Sequence, residues 1–280
     1  MTERTGRTGG PDPVAAAHEA ATGPDGWQAW HEQRTATVSA PYGPLALTGT
    51  HWLDDAQAGR IPAVAGHWEA TGDEVVLTAT DEDGLTLDGK PFTGRVALTA
   101  DHTPPAEARV AQGDKRLALV HREGLWAVRV WDPESGNRRA FAGIGATPYD
   151  PDWVLPGHYR PYAASRTVQV PNADGRDRGL GLAGELAFRL AGVEHTLQVA
   201  QEEDGSLWAV FADATSGTSS YRFRFLRPSA PAADSTVTVD FNRTLLPPCA
   251  FAEHFICPFP PPGNTLPAAI EAGERTALTR

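Results

Sequence analysis

Most of the chain alternates apolar and polar residues in short runs, and this alternation constrains the fold more than any other feature. Runs such as EVVLTA (74–79) and LWAVRVWD (125–132) place successive side chains on opposite faces, as β-strands do. Asp-Gly pairs at 88–89 and 204–205 supply the conformations that tight hairpin turns need. Because the runs follow one another without helical patterns between them, they predict antiparallel sheets closed or folded on themselves.

The predicted fold is therefore mainly β, an antiparallel barrel or sandwich, in a single β-rich domain over residues 13–280. Two strand-rich halves cover about 45–143 and 165–242, and a loop-like stretch with several prolines around 144–165 joins them. The chain then ends in a proline-rich part, residues 240–275, which we call the closing segment. We expect it to pack on the sheets.

Helical patterns are confined to the beginning of the chain. PVAAAHEAATG (13–23) and WQAWHEQRTATV (27–38) are rich in helix formers and are separated at Gly23 and Pro24, whereas residues 1–12 have the composition of a disordered tail. No run approaches the roughly 20 apolar residues of a membrane span, and no apolar core of a secretory signal follows the first arginines. We therefore expect a short helical lead and a cytoplasmic protein, and the composition is typical of a high-GC bacterium.

The net charge of the chain limits the classes of molecule that it is expected to bind. The chain has 24 Lys and Arg against 35 Asp and Glu, a formal net charge of −11. Nucleic acid and anionic lipid both need a basic surface, so the sequence predicts neither as a partner. It also lacks a phosphate-binding loop, a dinucleotide-binding glycine motif and a serine nucleophile elbow. The sequence assigns no cofactor and no oligomeric state.

Strand parity places several polar residues beside apolar ones. His121 and Arg129 each share a predicted strand face with apolar residues, and Asp213 ends the apolar face of SLWAVFAD. A histidine in such a position is usually a hydrogen-bonded core residue. A guanidinium stays charged and requires an anion, either a protein carboxylate or a ligand. For Asp213, the alternatives are a role in a site and a cap on the turn that follows.

Two later strand patterns carry further polar residues. In SYRFRFL, Tyr221 lies on the aromatic face and Arg224 on the opposite one. In TVTVDFN, Asp240 and Asn242 share a face, which puts a carboxylate acceptor beside an amide.

Four stretches of the chain are distinctive: GPLALTGTHWLDD, LVHREGLWAVRVWD, FADATSGTSSYRFRFL and DFNRTLLPPCAF…CPFPPPGNTLPAAIEAGER. Together, over about residues 30–275, they resemble the uncharacterised bacterial and archaeal family known as domain of unknown function 1684. That family usually reads Asp-Phe-Asn-Arg-Ala-Tyr-Asn-Pro-Pro-Cys where this chain has TLL at 244–246. If those positions contact a ligand, the change predicts a different specificity. His254 stands outside the family pattern, and the resemblance implies no known reaction.

The closing segment holds both cysteines, and their role stays open between four alternatives. Cys249, His254 and Cys257 have a C-x4-H-x2-C spacing whose ligand types suit zinc or copper. The two thiols could instead form a disulfide, or one of them could act as a nucleophile beside a base. In the fourth alternative they are small buried side chains packed under a proline-rich loop.

Oxygen- and nitrogen-bearing side chains of separate segments form a second candidate site. If the closing segment folds back across the sheet, these groups converge at one barrel mouth, where Arg129 and Arg224 would neutralise an anionic group. The candidate acid–base residues are Asp213, Asp240, Glu271 and Glu274. The candidate ligand-binding residues are His121, Arg129, Tyr221, Arg224, Asn242 and Asn264.

The sequence thus favours a small-molecule-binding protein with a polar pocket under the closing segment, and leaves open whether acid–base catalysis takes place there. The ligand would be a small polar or anionic molecule. The alternatives are a zinc- or copper-binding module, and a purely structural or interaction protein in which buried arginine–carboxylate pairs hold the closing segment in place.

Overall fold

The computed structural model describes residues 23–280 and consists mainly of antiparallel β-sheet. The predicted disordered tail, residues 1–12, and nearly all of the first predicted helix lie outside those residues. The second predicted helix is present as α1 (Pro24–Ser39), which begins with a proline whose fixed φ suits the first helical turn. Within residues 23–280, no helix is both long and apolar enough to cross a bilayer.

The first group of strands forms two antiparallel sheets around one core. The strands are β1 (Leu47–Trp52), β2 (His67–Thr71), β3 (Glu74–Ala79), β4 (Leu85–Leu87), β5 (Lys90–Pro91), β6 (Gly94–Leu98), β7 (Val110–Gln112), β8 (Lys115–Arg122) and β9 (Leu125–Trp131). One sheet has the order β1-β9-β8-β7-β4-β5 and the other β2-β3-β6. Trp68, Leu77, Leu119 and Val128 are among the side chains buried between them. The period-two pattern predicted β3, β8 and β9 to within two residues.

Two tight hairpins lie in the larger of these sheets, and the first confirms the turn predicted at Asp88-Gly89. Asp88 and Gly89 join β4 to β5 with φ values of 50° and 76°, and Glu123 and Gly124 join β8 to β9 with 50° and 81°. Two consecutive left-handed residues give the backbone twist that matches antiparallel strands, and glycine takes the second position without steric strain.

The second group of strands follows a short helix, α2 (Gly136–Ala140). Its members are β10 (Phe141–Ala146), β11 (Val154–Pro171), β12 (Asp177–Leu190), β13 (Val193–Gln201), β14 (Leu207–Phe211), β15 (Arg224–Leu226), β16 (Thr236–Asp240) and β17 (Glu274–Thr279). Six of them form a sheet in the order β15-β14-β13-β12-β11-β16, and β10 pairs with β17. Leu226 and Val239 come from the two edge strands yet belong to one core, so this sheet curls into a half-barrel.

The closing segment covers the core of the half-barrel. Leu266, Ile270 and Ala272 are buried in the same apolar cluster as the sheet residues Leu197 and Phe211. Burying apolar surface at about 25 cal/mol per Å² is the main source of stability for such an irregular segment. The segment therefore completes the core that an open half-barrel leaves exposed.

The stretch around 144–165 was predicted as a loop, and this prediction was wrong. Most of it belongs to β10 and to the long strand β11. Two of its prolines are paired residues of β11. Pro156 lies opposite Thr238 of β16 and directly precedes Gly157, the first residue of β11 paired with β12. Pro161 is the last residue paired with β12 before the register shifts, and such irregular positions are among the places where sheets accommodate proline.

The strand predicted for SYRFRFL is also shorter than its pattern indicates. Only its last three residues, Arg224–Leu226, form β15. The N–H of Tyr221 donates to the carbonyl of Arg275 at 2.8 Å, so this residue is bound to the closing segment instead of to the sheet.

Apolar contacts also join the two groups of strands. Leu47 and Trp131 of the first group pack with Ala252 of the closing segment, and Phe255 contacts the same cluster. The single domain over residues 13–280 stays a prediction.

Gly273 provides a test of how tightly the closing segment is packed. Its φ is +76°, and a Cβ there would lie 2.7 Å from the Phe241 carbonyl oxygen and 2.7 Å from the Thr244 Cβ. Gly72 has a similar φ of +61° but no atom within 4 Å of the corresponding position. We expect Gly273→Ala to lower the free energy of unfolding by about 1–3 kcal/mol more than Gly72→Ala, because only the first adds overpacking to backbone strain. Equal losses of unfolding free energy in urea titrations of the two variants would show that the closing segment adjusts to the added methyl group.

Candidate functional site

Asp213 and Arg224 form an ion pair whose side chains are completely buried. Arg224 Nη2 donates to Asp213 Oδ2 at 2.8 Å and to the Ile270 carbonyl at 2.7 Å, and Nη1 donates to the Ala272 carbonyl at 2.7 Å. Burial raises the pKa of the Asp213 carboxyl, but Arg224 and the hydrogen bonds from Thr215 outweigh it and hold the pKa below its usual value. Both residues thus bind the backbone of the closing segment and each other.

Glu274 is likewise fully buried and holds α1 in place. One carboxylate oxygen accepts a hydrogen bond from Arg34 Nε at 3.1 Å, and the other accepts from the Leu246 N–H at 2.7 Å. Burial raises the pKa of Glu274, and the charge of Arg34 offsets part of that effect. The helix has a second anchor in Trp27, whose indole N–H donates to the Asn242 carbonyl at 2.9 Å.

The two predicted amide ligands, Asn242 and Asn264, bind backbone instead of a ligand. Asn242 exchanges two hydrogen bonds with the backbone of Asp150, at 3.0 and 2.9 Å. Asn264 accepts from the Gln198 N–H at 2.8 Å and donates to the Val210 carbonyl at 2.9 Å. Since β13 and β14 diverge beyond two paired residues, the Asn264 amide bridges the gap between them.

The remaining predicted side chains occupy separate environments. Asp240 is half-buried beside Arg243, burial raises its pKa, and it lines a groove of about 610 Å³ between the edges β15 and β16. Glu271 is exposed, and so is His121, which lies at the end of β8 and stacks on Trp126 at 4.4 Å. The four predicted acid–base carboxylates therefore share no common environment: two are buried, one faces a groove and one is exposed.

A different groove opens beside the two cysteines, with a volume of about 870 Å³. We call it the cysteine groove; its lining includes Tyr221, Arg222, Cys249, Phe251 and His254, together with one exposed carboxylate, that of Glu253. The sequence placed Tyr221 among the candidate ligand-binding residues, and Cys249 and His254 among the candidate metal ligands.

Both cysteines are held close together at the base of this groove. The backbone N–H of Cys249 donates to Cys257 Sγ at 3.3 Å, and the hydroxyl of Tyr221 lies 3.6 Å from Cys249 Sγ while donating to the Cys249 carbonyl at 3.2 Å. Cys249 belongs to a single helical turn that starts at a proline, and the Cys257 carbonyl accepts from the Ala173 N–H at 2.9 Å. Both thiols are free.

The surroundings of the two thiols differ in their effect on ionisation. A hydrogen bond from the Cys257 thiol lowers the pKa of Cys249 to about 7, with help from Tyr221 and Arg222 and against the effect of burial. The same contact and burial raise the pKa of Cys257. Burial and the contact with Cys249 raise the pKa of Tyr221 to about 12, so its hydroxyl stays protonated.

Two arginines near the cysteines have no carboxylate partner in the part of the chain that the structure describes. Arg222 lies over the Phe259 ring at 4.5 Å. Arg129 donates to Thr50 Oγ1 at 3.3 Å and lies over the Phe255 ring at 5.6 Å. Burial lowers the pKa of Arg129 to about 10, and the Cys257 thiol acts in the opposite direction.

The three predicted metal ligands are not brought together as one set, although Cys249 and Cys257 are neighbours. Among residues 23–280, no group of three His, Cys, Asp or Glu side chains is arranged to hold a metal ion. His254 contributes its backbone carbonyl, which accepts from the Thr50 hydroxyl at 2.7 Å, and its exposed side chain lines the groove beside Cys249.

Arg222 is the functional candidate that sequence reasoning missed. Strand parity puts it on the same face as Arg224, which indicated one common role for both. The chain leaves strand geometry before Arg224, so the first guanidinium lies in the cysteine groove and the second in the core. No local pattern in SYRFRFL signals this difference.

Comparisons with known proteins identify a family but no activity. The family model described as protein of unknown function (DUF1684) matches residues 139–275, which include the closing segment and both cysteines. An uncharacterized protein of Haloarcula marismortui, solved by solution NMR, is 31% identical, and the match covers 49% of this chain and 77% of that chain with a TM-score of 0.41. No curated protein matches.

The contribution of the buried ion pair can be measured with two isosteric substitutions. Asp213→Asn leaves the Arg224 guanidinium buried without a counter-charge, and we expect it to lower the free energy of unfolding by about 3–5 kcal/mol. Asp88→Asn breaks the exposed pair with Arg109 and should cost far less, because solvent screens an exposed ion pair. Urea unfolding at neutral pH compares the two, and similar losses would contradict a central role for Asp213.

The same pair makes a prediction about acid. The pKa of Asp213 in the folded state lies below its usual value. The carboxylate therefore contributes its full stabilisation above the unfolded-state pKa of about 3.9, and this stabilisation is lost as the pH falls through the folded-state pKa. We expect the difference in stability between wild type and Asp213→Asn to shrink below about pH 4. A difference that stays constant in acid would refute this linkage.

Proposed function

This chain belongs to the DUF1684 family of proteins of unknown function, and from that premise we propose that it binds a small molecule with an anionic group in the cysteine groove. One observation carries the proposal: the Arg222 guanidinium faces the groove and has no carboxylate partner among the described residues. A guanidinium offers five N–H donors and no acceptor, so an anion is the partner it recognises best.

The groove presents Arg222 in a prepared orientation. Its side chain lies over the ring of Phe259, which limits the rotamers that a ligand would otherwise have to immobilise. The hydroxyl of Tyr221 stays protonated and lies beside Cys249, so it is available as a second hydrogen-bonding group. Both features favour binding of an anion over simple solvation of an exposed arginine.

The dimensions and lining of the groove also suit a small molecule. Its volume of about 870 Å³ falls within the roughly 300–1,000 Å³ of typical ligand pockets. The ring of Phe251 supplies apolar surface, while Arg222 and Tyr221 supply polar groups that would fix the ligand's orientation. This combination is typical of small-molecule sites.

Catalysis by the predicted carboxylates is not part of this proposal. Asp213 and Glu274 are bound to Arg224 and Arg34 inside the fold, and neither lines the cysteine groove. We therefore propose binding, with Arg222 in the role that sequence reasoning gave to Arg224. The cytoplasmic location and the absence of nucleic-acid partners stay predictions from composition.

A panel of small carboxylates and phosphates, each matched with a neutral amide or alcohol of the same shape, tests the proposal. We expect members of the anionic set to raise the thermal unfolding temperature at constant ionic strength, and their neutral counterparts to have no effect. Arg222→Gln should remove the stabilisation by the active anions while leaving the unfolding temperature of the free protein nearly unchanged, since Arg222 is exposed.

Arg227→Gln is a matched control for that variant. Arg227 is also exposed and lies over an aromatic ring, Trp208 at 5.5 Å, but it lies outside the cysteine groove. It should retain full stabilisation by the active anions. Equal loss in both variants, or a response to neutral compounds alone, would rule the proposed site out.

A further inference from the structure

We propose that Cys249 and Cys257 form a redox-active dithiol that reduces hydroperoxides, with Cys249 as the attacking thiol and Cys257 as the resolving thiol. This goes beyond ligand binding and does not depend on it, since the reaction needs no anionic ligand in the groove. The inference rests on three features: the proximity of the two sulfurs, the access of Cys249 to the groove, and the charged groups around each thiol.

Cys249 and Cys257 lie close together in the structure. The Cys249 N–H reaches Cys257 Sγ at 3.3 Å, and the two residues lie eight positions apart at the ends of one loop. The loop is held at both ends, because Cys249 starts from a proline turn and the Cys257 carbonyl is bound to Ala173. Because both residues are held in place, only a small movement is needed for their sulfurs to form an S–S bond.

Access distinguishes the two sulfurs. Both thiols are buried in one cluster with Phe223 and Phe225, but Cys249 also lines the cysteine groove and Cys257 does not. A hydroperoxide is small enough to enter a groove of about 870 Å³. The geometry therefore assigns the first reaction to Cys249 and leaves Cys257 for the second.

The groups around Cys249, which is buried but lines the groove, favour its thiolate form. The neighbouring Cys257 thiol makes the largest contribution, and with smaller ones from the Tyr221 hydroxyl and Arg222 it lowers the pKa of Cys249 to about 7 against the effect of burial. A thiolate is the reactive form of cysteine, and positive groups nearby are its usual cause. Arg129 has no carboxylate partner within residues 23–280 and lies near Cys257.

The chemistry balances with a hydroperoxide as the oxidant. The Cys249 thiolate attacks the distal oxygen, the O–O bond breaks, and with one proton the products are a Cys249 sulfenic acid and an alcohol. The Cys257 sulfur then attacks Cys249 Sγ, and the S–S bond forms as water leaves with the Cys257 proton and the sulfenic hydroxyl. The peroxide is reduced by two electrons and the two thiols are oxidised to a disulfide, which an external dithiol reduces again.

The test uses the full chain and hydrogen peroxide. We expect stoichiometric peroxide to remove both free thiols, to lower the intact mass by two hydrogens, and to leave a disulfide that dithiothreitol reverses. Cys257→Ser should stop at a sulfenic acid on Cys249, which dimedone traps, whereas Cys249→Ser should give no adduct on Cys257. Persistence of both thiols in excess peroxide would overturn the proposal and identify them as inert buried residues.

A second measurement needs no cysteine variant and covers the case in which one fails to fold. In the wild-type protein, limiting iodoacetamide should label Cys249 before Cys257, with a rate that rises with pH around a midpoint near 7. Arg222→Gln should slow the labelling at neutral pH by about twofold to threefold, because it removes one of the smaller contributions to the lowered pKa of Cys249, and Arg227→Gln should not slow it. Labelling of Cys257 first, or equal rates in both arginine variants, would also overturn the assignment.

The proposed anion binding and the proposed dithiol chemistry can be refuted independently of each other. If the dithiol is inert but Arg222→Gln still abolishes stabilisation by anions, ligand binding stands without redox chemistry. If peroxide forms the disulfide but no anion binds, the groove serves the thiols alone.

Discussion

The buried pair between Asp213 and Arg224 is the interaction on which the rest of the second half depends. One guanidinium joins a carboxylate beyond the end of β14 to backbone carbonyls of Ile270 and Ala272 in the closing segment. An irregular segment lacks a ladder of its own, so its carbonyls need donors from elsewhere when they are buried. Arg224 supplies several of these donors from a single side chain, which allows the segment to cover the half-barrel core.

Because the segment is held at several separate points, the loop between the cysteines has a defined position. Asn264 binds the diverging strands β13 and β14, and Glu274 ties the end of the segment to Arg34 of α1. The side chains that fix the backbone are thereby engaged inside the fold. The groups left over for chemistry are those that face outward at the loop, namely Cys249, Tyr221 and Arg222.

Local pattern predicted much of the fold and little of the site. Alternation located β3 and β9 well, because the period of side chains along a strand depends on the backbone alone. It failed at β11, where prolines were taken as loop signals although Pro156 and Pro161 are paired residues of the strand. It also failed for Asn264, since an amide that bridges two strands and an amide that binds a ligand have the same appearance in sequence.

The sequence by itself determined the β class, the main turns, the resemblance to a family and the importance of the closing segment. Each of these depends on residue type and spacing along the chain. Only the tertiary structure decided which polar groups meet: it paired Arg224 with Asp213, left Arg222 facing a groove, and brought Cys249 to Cys257. The physical reason is that burial and partnership depend on residues tens of positions apart, and two arginines with the same strand parity diverge once the backbone bends between them.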